Sequence, residues 1–153
     1  MKITGPGIAI DLPRGWEAEI DGGAGHADED AIRVSTPRVH MANFPLPAVR
    51  GDFGSGAVER MIDGDVLLCL LEEAPSAAES ALHGHDGIPR LRAEDFSPDA
   101  MQRPRRGQSG TQAFFHDGGR AFVLYAALGG HGSRLARIED INRVLAGITI
   151  TPA

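Results

Sequence analysis

The chain has 153 residues, 42% of them hydrophobic and 24% charged, which suits one folded domain and excludes wholesale disorder. Its net charge of −6 disfavours general binding to nucleic acid or to an anionic membrane surface, since both require a positive face. The longest apolar runs, residues 66–71 and 121–128, fall far short of the ~20 residues of a membrane helix, so no membrane insertion is expected.

The opening residues, Met1 to Pro6, show no apolar stretch with a cleavage site, which predicts a cytoplasmic protein. The single cysteine, Cys69, has no partner for an intramolecular disulfide. Lys2 is the only lysine, and the many arginines, alanines and glycines suggest a bacterial, GC-rich coding bias of the kind actinobacteria show.

In chain order, Ile8, Ile10 and Leu12 alternate with Ala9 and Asp11, the period of a half-buried strand. Pro13-Arg14-Gly15 makes a turn, and Trp16, Ala18 and Ile20 alternate with acidic residues, so the two segments read as an opening hairpin. Residues 22–30 read as a loop and 31–35 as a strand. Residues 38–44 continue extended, and the flanking Pro37, Pro45 and Pro47 suit an edge strand or strand ends. Ser55 is a candidate N-cap for a short helix through Met61. Residues 66–71 are apolar on both faces, as in a strand covered from both sides.

Ser76 and Glu79 have the spacing of a capping box, which predicts a two-turn helix to His83. Residues 87–107 are the least regular part of the chain, with three prolines and clustered arginines. Residues 108–115 and 120–128 read as a hairpin around His116-Asp117-Gly118-Gly119, the second strand apolar throughout. Leu135, Ile138, Ile141 and Leu145 recur at helical spacing behind Ser133, predicting one buried helix face, and residues 148–151 add a last strand. The order β-β-β-α-β-α-β-β-α-β predicts one α+β domain: a mainly antiparallel sheet flanked by helices as an α/β/α sandwich, with a one-sided layer as the alternative.

The opening run Gly7-Ile8-Ala9-Ile10-Asp11-Leu12-Pro13-Arg14-Gly15-Trp16 and the closing run Ile141-Asn142-Arg143-Val144-Leu145-Ala146-Gly147-Ile148-Thr149-Ile150 resemble the two ends of PsbP-like α/β/α sandwich proteins. That superfamily includes photosystem extrinsic subunits and small actinobacterial lipoproteins. The resemblance covers some 20 residues at the two ends. It implies a non-catalytic accessory or binding role and transfers no site residue.

Several residue groups invite chemistry. His83, His85 and Asp86 have the donors of a zinc or nickel site lacking at least one ligand, or they cap a helix and line a solvated loop. Cys69 lies among four leucines, where a thiol is inert packing. Residues 52–56 are a glycine-rich turn that opens a helix but lack the lysine of a phosphate loop. Ser109 and Ser133 lie in no nucleophile elbow with His116 or His131, and the acidic pairs Glu72-Glu73 and Glu94-Asp95 point to opposite faces of an extended chain. The strongest cluster is Arg90, Arg92, Arg103, Arg105 and Arg106, with Phe96 and Met101 among them as apolar anchors. The expected function is a non-catalytic accessory or interaction module without a cofactor. Its partner is another protein or a second copy. The alternative is a small-molecule or metal-binding domain with a site near His83 and His85.

Overall fold

The structure is a computed structural model that describes residues 1–22 and 37–153. The strand expected at 31–35, and all but the first residue of the loop before it, lie outside the described residues. Among the described residues the architecture is two β-sheets and one α-helix, which overturns the α/β/α sandwich expected from the sequence.

The smaller sheet begins with β1 (Lys2–Gly5) and β2 (Ile8–Asp11), an antiparallel pair turned by Pro6-Gly7. Gly7 adopts φ 72°, where L side chains are strained, and an added Cβ would fall 2.3 Å from a nitrogen of Arg120. The larger sheet begins with β3 (Glu17–Asp21), β4 (Arg38–Ala42) and β5 (Val66–Glu72). It continues with the two-residue β6 (His85–Asp86), β7 (Ser109–Asp117) and β8 (Arg120–Leu128), in the spatial order β3-β4-β5-β8-β7-β6. Every pairing in it is antiparallel except β6 with β7. The helix α1 (Arg134–Ala146) then leads into β9 (Ile148–Ile150), which pairs with β2.

Three local expectations change. The opening hairpin is β1 with β2, while β3 joins the other sheet beside β4. The strand β4 lies between β3 and β5; its neighbouring prolines sit beyond its ends, where no ladder bond is lost. The helices expected at 55–61 and 76–83 are three- to five-residue 3₁₀ turns, Val58–Arg60, Pro75–Glu79 and Ala81–His83. Short helices must bury an apolar face to offset the cost of nucleation, and residues 75–79 bury none. A capping spacing alone does not make a helix.

The two faces of the larger sheet are covered differently. One face presents Val39, Leu70 and Leu124, which share one cross-strand row, to the smaller sheet and to α1. Ile8, Ile10, Ile141, Val144 and Leu145 close that cluster from the other side. The helix is buried toward its C-terminal end, and Leu135, expected in the core, is 75% exposed on its first turn. The opposite face presents Leu67, Cys69, Tyr125 and Ala127 to loops that carry Val58, Met61 and Met101. No regular element covers this second face among the described residues.

Two joints hold the layers. Arg120 donates to both oxygens of Glu72 at 2.7 and 2.9 Å, and to the carbonyls of Gly7 and Thr151 at 3.0 Å each. One side chain thus ties β5 and β8 to both outer parts of the smaller sheet, and the bidentate pair is nearly out of solvent. The second joint is the segment between Phe96 and Met101. Ser97 bridges Gly110 on β7, so the chain passes the sheet edge there. Phe96 enters the first cluster and Met101 the second. Gly110 permits the close approach, since a Cβ there would lie 3.0 Å from the Ala126 carbonyl and 3.1 Å from the Met101 sulfur.

Candidate functional site

The arginine-rich segment does not act as one patch. Arg90 borders a shallow depression of about 330 Å³ beside α1, next to Asn142 and Leu145. The Asn142 amide is committed to holding the backbone of Leu91, donating to its carbonyl at 2.8 Å and accepting from its N–H at 2.9 Å. Arg92 closes its own turn, with Asp95 at 3.3 Å and Glu94 at 3.7 Å. Phe96 is 4% exposed and is a core side chain, not an interface anchor. Met101 is also buried, but it lines a cavity. Arg103, Arg105 and Arg106 lie in a fully exposed run, 102–107.

Arg103 and Arg105 stand at the rim of a cavity of about 480 Å³ on the loop-covered face of the larger sheet. The glycine-rich turn at 52–56, read separately in the sequence, supplies the facing wall through Asp52, Phe53 and Ser55. Phe53, Val58, Met101 and Tyr125 make the apolar floor. The Phe53 and Tyr125 rings meet edge to face with centroids 5.7 Å apart. The Tyr125 hydroxyl accepts from the Gln102 N–H at 3.1 Å and donates to the Met101 sulfur at 3.5 Å. Burial raises its pKa above the usual tyrosine value. The carboxylate of Glu59 accepts from its own amide and from Gly56, which keep it below the usual glutamate range, with Arg105 and Arg103 adding to the effect.

Behind this wall lies a polar group that sequence reasoning missed. Glu19, His40, Cys69, Tyr125 and Gln112 are cross-strand partners in one row over five strands. Arg50, whose side chain is only 5% exposed, donates its Nε–H to His40 Nδ1 at 2.9 Å and pairs with Glu19 at 3.0 Å. A guanidinium nitrogen can only donate, so Nδ1 must accept and His40 is held neutral. Its proton sits on Nε2 and is donated to the Asp52 carbonyl at 2.9 Å, anchoring the cavity wall to β4. Burial lowers the His40 pKa, and the charge of Arg50 lowers it further. Burial pushes the Cys69 thiol up, as expected of inert packing. No local spacing links residues 19, 40 and 50; strand register pairs Glu19 with His40, and the loop after β4 brings Arg50 back to both.

The histidines of the alternative site are employed otherwise. His83 is 2% exposed, with Nδ1 against the Ser80 hydroxyl at 2.8 Å. Its Nε2 lies 3.0 Å from Glu73, off the line of a good hydrogen bond. Its carbonyl accepts from His116 Nδ1 at 2.6 Å, which ties this turn to β7. His85 is exposed on β6. No group of three or more ligating His, Cys, Asp or Glu side chains gathers among the described residues. Ser109 is buried in β7, and Ser133 is bonded to Asp63. No helix among the described residues is long and apolar enough to cross a membrane.

No family model, curated protein or solved structure significantly matches the chain.

Proposed function

We propose that this chain is a non-catalytic interaction module whose exposed arginine segment engages a protein partner or a second copy of the chain. One observation carries the reading: Arg103 and Arg105 stand over an apolar-floored cavity without an ion pair among the described residues. Arg38, Arg50, Arg92, Arg120, Arg137 and Arg143, by contrast, each meet a carboxylate within 4 Å. Uncommitted guanidiniums beside an apolar recess are the composition of an interface core and rim. The PsbP-like resemblance of the chain's ends supports the same accessory role, although the α/β/α layering it implies is not the one adopted. The test is replacement of Arg103, Arg105 and Arg106 with serine, followed by affinity purification from the native organism and sizing of the complexes. Complexes that weaken in the variant and with added salt support the proposal. Complexes of unchanged size and affinity overturn it.

A further inference from the structure

The cavity beneath Arg103 and Arg105 has an uneven allotment of partners. Its two carboxylates are already engaged, Asp52 by Arg38 at 2.8 Å and Glu59 by the Gly56 amide at 2.6 Å. Its donors are poorly used. Neither guanidinium has a carboxylate partner among the described residues, and the Tyr125 hydroxyl spends its proton on a thioether, a weak acceptor. The recess therefore sets two guanidiniums without a close ion-pair partner among the described residues over an apolar floor, with Glu59 near enough to feel their charge.

Its volume, about 480 Å³, falls within the range of pockets that enclose a ligand group. The edge-to-face pair of Phe53 and Tyr125, with Val58 and Met101 beside it, suits a third aromatic ring. Planar guanidinium forks above that floor suit a carboxylate. A second copy of this chain is a poor source, because its exposed large hydrophobics among the described residues are Met1, Val49, Ile62, Leu82 and Leu135, none aromatic.

We infer that, granted the interaction reading above, this cavity receives an aromatic side chain of a different protein, flanked in its sequence by a carboxylate. The ring lies on Phe53, Val58 and Tyr125, and the carboxylate meets Arg103 and Arg105. The Tyr125 hydroxyl turns from the Met101 sulfur to an oxygen of the incoming segment. Because Tyr125 also holds the Gln102 amide, floor and rim respond together.

The probe is a fluorescein-labelled peptide with one phenylalanine between two glutamates, titrated with the full chain by fluorescence anisotropy. Saturable binding is expected. It should weaken at least tenfold in Arg103→Ser/Arg105→Ser, in Gln102→Trp, which sets a ring across the mouth, and when the peptide's phenylalanine becomes alanine. Equal binding of the alanine peptide means that charge alone attracts it, and overturns the inference. Competition by N-acetylphenylalanine as strong as by the peptide assigns the cavity to a small molecule, and overturns it equally. Absence of binding does the same. If Gln102→Trp does not fold, the alanine peptide still decides. The interaction reading itself stands or falls on the native complexes of the triple serine variant, so either can fail alone.

Discussion

The two faces of the six-stranded sheet bury similar strands under different covers. One lies beneath a second sheet and a helix, and its side chains interlock in a closed cluster. The other lies beneath loops, and it is there that a cavity, a buried histidine–arginine pair and uncommitted guanidiniums occur. Regular elements fill space to the density of an organic crystal, whereas loops that must satisfy their own backbone leave gaps. The less regular face thus holds the larger recess, about 480 Å³ against about 330 Å³ beside α1, in keeping with loops carrying function on a rigid scaffold.

The contrast breaks most readily at the joint between the sheets. Arg120→Met leaves the half-buried Glu72 carboxylate without its partner and frees the carbonyls of Gly7 and Thr151. A loss of about 3 kcal/mol is expected in urea unfolding. Adding Glu72→Met should restore much of it, since an apolar pair of similar volume leaves no orphaned charge. If Arg120→Met alone is neutral, the closed face does not depend on this joint.

Next comes the crossing at the sheet edge. Gly110→Val places branched carbon against the rigid Ala126 carbonyl and the Met101 sulfur, and should cost about 2 kcal/mol. Tyr125 near-ultraviolet dichroism should change with it, because the cavity floor moves.

A smaller effect follows pH. The folded-state pKa of His40 is depressed, so the unfolded chain binds the extra proton first. This contribution is complete above the unfolded value, about 6.5, and is lost as pH falls from there toward the folded value. The groups facing His40 are Glu19, Arg50, Asp52 and Cys69, so protonation would set two cations together behind the cavity wall. Urea midpoints between pH 7.5 and 5 should fall more steeply in the natural chain than in His40→Gln. Parallel curves would show that the pair does not govern this face.

The smallest effect belongs to the rim. Replacing Arg103, Arg105 and Arg106 with serine should change stability by no more than about 0.5 kcal/mol, because surface substitutions at exposed side chains rarely cost more. Unfolding of that variant would make the arginines structural and remove the distinction between rim and scaffold.

By itself the sequence determined strands such as Ile8–Asp11 and Val66–Glu72, because period-two alternation and doubly apolar runs record burial locally, but it did not show β1 or β6. It also marked the arginine segment and the glycine-rich turn as unusual. It did not show that the two meet, since 50 residues separate them. Nor could it separate Phe96, swallowed by the core, from Arg103, left in solvent a few residues on. The spacing at Ser76 and Glu79 promised a helix that found no apolar surface to pack on. Leu135 kept the right period on a turn that the sheet does not reach. Register decided the rest: it placed Glu19, His40, Cys69 and Tyr125 in one row, and cross-strand neighbours are chosen by pairing over the whole sheet, not by any local spacing.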